Sequence, residues 1–181
     1  MYSKAAKLFV LVIFFGNIME NASKLEFTNF KCHVKDPTYL SFEYCFIKSV
    51  NRTYKYISLK ANMYEVPITN ASAKLQISRR FRSYMPITIA ASIDVCKYMA
   101  YKKNLANPML RLFEEITKKY TNTNHKCPYD HDLIIDRLPS KYLSEHFTNI
   151  LPLPPGDYSF NSIWYSRNIE RATISIYYTV S

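Results

Sequence analysis

The residues of this chain best suited to acid-base, nucleophilic or metal chemistry gather in one stretch: His125-Lys126-Cys127, Asp130, His131, Asp132 and Asp136. A thiolate beside an imidazole is the arrangement of a cysteine nucleophile, histidine with cysteine is a zinc ligand set, and paired carboxylates serve glycoside hydrolysis. The spacing supports none of these. His-x-Cys with a further histidine at position 131 fits no usual zinc pattern. Three aspartates on what reads as a loop entering a short strand form a solvated polar segment, and Cys127 has a competing use as half of a disulfide. His33 and His146 have no partner in sequence. Glycine occurs only at positions 16 and 156, so phosphate-cradling loops, dinucleotide fingerprints and nucleophile elbows cannot be built. The expectation is a protein that is not an enzyme, with no metal and no cofactor.

The disulfide reading depends on compartment. Lys4 and Lys7 precede an unbroken apolar run, Leu8 to Phe15, that gives way to small and polar residues, the pattern of a secretory signal peptide over residues 1–23. No clean small-x-small site fixes the cut, which is placed within 16–23. The run is about half the length needed to cross a bilayer as a helix, and no second one follows, so no stable membrane insertion is expected. Residues 24–181 then form a single secreted, extracellular domain large enough for a sizeable core. In an exported chain, Cys32, Cys45, Cys96 and Cys127 read as two disulfides, for which three connectivities exist. Cys32–Cys45 with Cys96–Cys127 is preferred because each closes a contiguous stretch. Loops of these lengths contribute about 3 to 4 kcal/mol each by restricting the unfolded chain. Export also gives meaning to the glycosylation sequons at Asn51 and Asn70, expected on exposed turns, and at Asn21, beside the cleavage site.

Removing the leader takes away Lys4, Lys7 and Glu20, so the net charge falls only from +10 to +9. The basicity belongs to the domain. Its densest cluster is Arg79, Arg80 and Arg82 around Phe81, followed by Lys102–Lys103 and Lys118–Lys119. Such a face attracts acidic glycans, anionic lipid headgroups or an acidic receptor. Nucleic acid is excluded by compartment.

The elements that must position these residues are mainly β. Leu75, Ile77 and Phe81 alternate with Lys74, Gln76, Arg80 and Arg82; Ile57, Leu59, Ala61 and Met63 form one face of a strand. Tyr158, Phe160 and Trp164 share one parity, as do Ile174, Ile176, Tyr178 and Val180. With Phe27–Val34, Phe42–Ser49 and a weaker strand around Leu133–Arg137, this gives about seven strands, a number that suits a two-layer antiparallel β-sandwich of immunoglobulin-like kind. One segment breaks the pattern. Asn107-Pro108 supplies a cap and first helical residue, and Met109, Leu112, Phe113, Ile116 and Tyr120 recur at helical spacing, so an amphipathic helix is predicted over about 107–121. Its outer face offers Glu114 with Lys118 and Glu115 with Lys119 as i,i+4 pairs. Pro155-Gly156 suits the centre of a type II turn.

Certain landmarks recur in order: Thr28-Asn29-Phe30-Lys31-Cys32, Cys45 leading into Val50-Asn51-Arg52, Asp94-Val95-Cys96-Lys97, Asn124-His125-Lys126-Cys127-Pro128-Tyr129 and Leu153-Pro154-Pro155-Gly156-Asp157-Tyr158. Together they resemble a large insect, fly-expanded (Drosophila-expanded) family of secreted proteins of unknown function related to Daedalus-on-three, distantly akin to the CheB chemosensory proteins. That resemblance implies, at one further remove, a likeness to the ML lipid-recognition and ganglioside-activator group, whose two sheets splay apart to hold an apolar ligand. It carries over no catalytic residue and no named ligand.

A pocket of that kind would be lined by apolar and aromatic side chains with few polar groups. Phe42, Phe46, Ile57, Leu59, Leu75, Ile77, Phe113, Ile116, Phe160, Trp164, Ile174 and Ile176 are the candidates. Two functions are compatible with these residues: a carrier of a lipid or other hydrophobic small molecule held between the sheets, or a secreted glycoprotein with a packed core that binds an acidic partner through its basic face.

Overall fold

A computed structural model of the chain describes residues 25–52, 54–101, 108–150 and 153–181. The leader with Asn21, the Lys102–Lys103 pair and the capping Asn107 lie outside the described residues. The elements run β1 (Leu25–Val34), β2 (Leu40–Ser49), β3 (Lys55–Met63), β4 (Ser72–Arg80), β5 (Tyr84–Asp94), α1 (Val95–Tyr101), α2 (Pro108–Tyr120), β6 (Leu133–Pro139), α3 (Ser140–Ile150), β7 (Gly156–Ser166) and β8 (Ile169–Val180). The strands form a five-stranded sheet, ordered β1-β8-β7-β4-β5, and a three-stranded sheet, ordered β2-β3-β6. All pairings are antiparallel. The fold is thus a mainly β, two-layer antiparallel sandwich with helices added.

Alternation along the strands builds the core. Leu75 and Ile77 of β4, Tyr158 of β7, Tyr178 and Val180 of β8, and Ile57, Leu59 and Ala61 of β3 are buried between the layers. Removing each large side chain of this set from water is worth about 1.5 to 3 kcal/mol. β1 and β2 are consecutive in sequence yet sit in opposite sheets, and the Cys32–Cys45 disulfide ties the two layers together. Cys96 at the start of α1 bonds Cys127, so the excursion carrying α2 is clamped at both ends. The preferred connectivity is the one observed.

Several expectations need correction. The described residues hold eight strands, the unforeseen one being β5, whose Pro86 interrupts the strand pattern. An edge strand tolerates proline because one side of it pairs with nothing, and β5 is at an edge. There are three helices, where one was expected. Asp94 caps α1 by accepting the Lys97 N–H at 2.9 Å, and α3 buries Leu143 and Phe147 one turn apart. Arg82 and Phe81 do not belong to a strand. β4 ends at Arg80 and Phe81, 66% exposed, lies in the β4–β5 connection. Gly156 takes φ +152°, a glycine conformation at the start of β7 that differs from the type II turn geometry expected.

The expected helix is present as α2, with Pro108 as its first residue. Its acids face other partners than the expected lysines: Glu114 accepts the Tyr98 hydroxyl and Glu115 the Tyr142 hydroxyl, each at 3.3 Å. Lys119 lies over the rings of Tyr120 and Tyr142. These contacts dock α2 against α1 and α3.

Candidate functional site

Between the sheets lies a cavity of about 210 Å³. The three-stranded sheet contributes Phe42, Ile57, Leu59, Ala61, Met63 and Leu133; the five-stranded sheet contributes Phe30, Leu75, Phe160, Trp164, Ile174 and Ile176. α2 supplies Phe113, Ile116 and Thr117, and the segment after it supplies Thr121, Thr123 and Tyr129. Ten of the twelve residues proposed from sequence therefore border this one cavity. Apolar cavities of roughly 150 Å³ stay dry and take up small aromatic molecules, so a space of this size suits an apolar occupant better than a water cluster.

Two of the twelve do not border it. Ile77 is fully buried one pair further along β4, beyond the cavity, in the solid part of the core. Phe46 is 39% exposed and packs against Tyr44 and Tyr56 on the outer surface. The reason is a β-bulge: Phe42 pairs with Ala61 and Tyr44 with Lys60, leaving Glu43 as an extra residue in β2. A bulge shifts the alternation by one. Phe42 therefore faces inward, and after the bulge Cys45 and Ile47 take the inward positions that unbroken parity would give to Phe46.

A second bulge brings in a residue that sequence reasoning missed. The β7–β8 hairpin turns on Arg167 and Asn168, both at positive φ (51° and 64°), as a two-residue turn of type I′ requires. Just beyond it, Tyr165 pairs with Glu170 but Trp164 pairs with Ala172, which leaves Arg171 unpaired in β8. Arg171 is only 6% exposed and forms part of the cavity wall. Its Nη1 donates to Asp36 Oδ2, its guanidinium lies 4.0 Å from the centre of the Tyr39 ring, and its Nε has no hydrogen-bond partner among the described residues. Asp36 Oδ1 accepts the Thr38 hydroxyl at 2.6 Å and the Thr38 N–H at 3.1 Å. The Thr38 hydroxyl foremost, and then Arg171, hold the Asp36 carboxyl below its usual range against the opposing pull of burial. Four hydroxyls of the wall bond within the protein: Thr117 and Thr121 donate to carbonyls of α2, Ser162 to Ile174 O and Ser166 to Asn70 O. No alternation pattern marks Arg171, because an unbulged strand would turn it outward.

The histidine stretch has a structural use. His125 Nε2 and His131 Nε2 lie 2.9 Å apart, and the Nδ1 atoms sit 2.8 Å from the carbonyls of Lys126 and Asp132. Tyr129, whose ring lies against both histidines, donates its hydroxyl to the carbonyls of Thr123 and His125. This network pins the segment that walls the cavity beside α2. Cys127 is held in its disulfide, and among the described residues no three His, Cys, Asp or Glu side chains are grouped to hold a metal. Asp132 accepts the Met63 N–H and lies 3.8 Å from Lys60.

The basic cluster is split. Arg79 donates to Pro155 O at 2.9 Å and lies over Tyr158 and Phe81, whereas Arg80 and Arg82 are exposed at and beside the hairpin connection. Asn51 and Asn70 are both exposed, on the β2–β3 turn and on the loop before β4.

Fold and site together define a β-sandwich with a largely apolar cavity between its sheets and one charged side chain, Arg171, in the cavity wall. Residues 73–160, from β4 into β7, match a family described as a protein of unknown function, DUF1091. No curated protein matches the chain. Among solved structures the chain is similar to a Niemann-Pick type C2 protein from the Japanese carpenter ant, at 10% identity over 85% of this chain and 90% of that one, with a TM-score of 0.31. A likeness that distant says nothing about what this chain binds.

Proposed function

We propose that this chain is a secreted, non-enzymatic binding protein that holds a lipid or other apolar small molecule between its two sheets. The observation that carries the reading is the cavity with its nearly all-apolar wall drawn from both sheets and α2. Such a wall gains affinity from the area it removes from water and offers no group placed to do chemistry. Two disulfides are in keeping with an oxidising, extracellular compartment, and the exposed sequons at Asn51 and Asn70 are positions where a secreted form would carry glycans. Native mass spectrometry of protein from a eukaryotic secretion system tests this. A bound apolar mass, or uptake of an added one after delipidation, supports the carrier; a protein that takes up none is not one.

A second reading has its own observation. Arg80 and Arg82 flank Phe81 at an exposed hairpin connection, a surface suited to an acidic glycan or receptor. Retention on heparin falls when Arg80 and Arg82 are replaced by serine if that surface is used, and is unchanged if it is not.

A further inference from the structure

Two imidazoles that meet through their Nε2 atoms can share one proton between them but cannot each carry one there, and His125 and His131 meet in this way in the segment that walls the cavity. Asn122 sets the direction of the bonds. Its Oδ1 accepts the Ile134 N–H at 2.9 Å, so its Nδ2 is the donor, to Asp132 O at 2.7 Å and to His131 Nδ1 at 3.0 Å. His131 then carries its proton on Nε2 and donates it across 2.9 Å to His125 Nε2, and His125 donates its Nδ1–H to Lys126 O at 2.8 Å. With both rings neutral, every N–H of this chain has an acceptor. A first added proton goes to His131 Nδ1, where Asp132 O accepts it at 2.8 Å, and the contact between the rings survives. A second can go only to His125 Nε2, which would set two N–H groups and two cations face to face at 2.9 Å.

The contact closes a loop that carries part of the wall. Tyr129, between the two histidines, is 3% exposed, lines the cavity, packs its ring against both imidazoles and donates its hydroxyl to the carbonyls of Thr123 and His125. Parting the rings moves the groups that hold Tyr129 in place. Among the described residues neither imidazole is in an ion pair. Within the segment Lys126 and Asp130 are exposed, and Asp132 is drawn to the Met63 N–H and to Lys60 of β3, which also holds Glu43 of β2. On the loop that pairs Ile68 with Tyr129, Glu65 is held by Arg167. Lys97 beside Cys96 on α1, Lys118 of α2 and Asp136 of β6 are exposed, and Lys119 lies over tyrosine rings. The Asp36–Arg171 pair in the same wall does not respond to mild acid, because the Thr38 hydroxyl, against the pull of burial, and Arg171 hold the Asp36 carboxyl below its usual range.

Resting on the carrier reading above, we propose that His125 and His131 form a pH-operated clasp on the cavity wall, closed while the pair holds at most one extra proton and opened by the second, so that mild acid releases the apolar ligand. Histidine is the side chain that charges between about pH 5 and 8, and opening needs no other group of the wall to titrate.

The test loads the full-length secreted, delipidated protein with anthracene, which has no ionisable group and takes up energy from the Trp164 indole in the cavity wall, and follows its release into excess cyclodextrin at pH 7.5 and at pH 5.0. Release from wild type is expected to be about tenfold faster at pH 5.0. In His131→Gln an amide stands near the place of the imidazole Nε2. It can donate to His125 or, turned over, accept from it, and it takes no charge, so release should differ by less than about twofold between the two pH values. His125→Gln should behave alike, whereas His146→Gln, whose native ring stacks on Tyr142 in α3 and does not border the cavity, should keep the full rise. Should both clasp variants fail to fold, the histidine ring-proton resonances of wild type decide: the pair should take up its protons in two separated steps, and independent titration of the two rings would overturn the clasp. Release from wild type that ignores pH, or a rise that persists in both His125→Gln and His131→Gln, overturns it also and leaves the carrier reading standing. Failure of wild type to take up anthracene at pH 7.5 overturns both.

Discussion

A single added side chain distinguishes a hollow sandwich from a full one. Ala61 lies on β3, 5% exposed, with its side chain in the cavity wall. Ala61→Leu adds three carbons. If they enter existing empty space, their burial contributes about 0.8 kcal/mol each, or roughly 2.4 kcal/mol together. Fixing the leucine rotamer takes back about 0.5 to 1 kcal/mol. The variant should therefore be more stable by about 1.5 kcal/mol, and its Tm should rise by about 3 to 6 °C for a chain of this size. Ala73 on β4 is the control: it is fully buried and does not border the cavity. Ala73→Leu has no space to fill and should lose about 1 to 3 kcal/mol through overpacking. Urea unfolding followed by far-UV circular dichroism gives both values, and equal m-values ensure that the midpoints compare native-state stability. Opposite signs are expected. Equal destabilisation of the two variants would mean that the space at Ala61 is packed and the sandwich full.

Three further outcomes are expected from the structure. Tyr178 is fully buried and its hydroxyl has no partner among the described residues, so Tyr178→Phe should stabilise the fold by about 1 kcal/mol in the same urea assay, and a loss of that size would show that the hydroxyl has a partner. Burial, and secondarily Glu114, pushes the Tyr98 hydroxyl up to about 12, and burial drives Tyr178 up also; tyrosines in the unfolded chain ionise near 10. Ionising either phenol is therefore harder in the folded than in the unfolded chain, so stability does not change on their account below about pH 10 and falls as the pH rises above it. Urea midpoints should be flat from about pH 8 to 9.5 and then fall, less steeply in Tyr98→Phe/Tyr178→Phe; an unaltered slope would assign the alkaline loss to other groups. Finally, the Cys96–Cys127 bridge spans 31 residues and Cys32–Cys45 spans 13. Replacing each pair by alanine should cost about 3.7 and about 2.9 kcal/mol respectively on the loop-entropy relation, and a reversed order would show that tying the two sheets together matters more than loop length.

How far the fold is legible in the sequence depends on whether a strand keeps its alternation. Ile57, Leu59 and Ala61 on β3, and Ile174, Ile176 and Tyr178 on β8, do so, and their inward face is plain in the sequence. Bulges break the rule without leaving a compositional mark: the extra Glu43 turns Phe46 outward, and unpaired Arg171 turns a charged residue in. β5 is hidden by Pro86, which signals a break when only sequence is considered and is acceptable at a sheet edge. α3 is legible in part, since Leu143, Phe147 and Ile150 repeat at helical spacing, but three apolar positions in an eleven-residue segment are a weak stripe. The cavity itself has no signature in composition, because a filled core and an open one use the same residues.

Whether the space between the sheets admits an apolar molecule can be read from the chain's own reporter. Trp164 is the sole tryptophan, borders the cavity and donates its Nε1–H to Ser162 at 3.0 Å. Titration of the delipidated protein with 1-bromodecane, whose bromine quenches an indole only at close contact, reads occupancy directly. Saturable quenching of Trp164 at one equivalent, reversed by excess unbrominated 1-decanol, is the result expected. Quenching that rises linearly and never saturates, as for a tryptophan met only by collision, would contradict it.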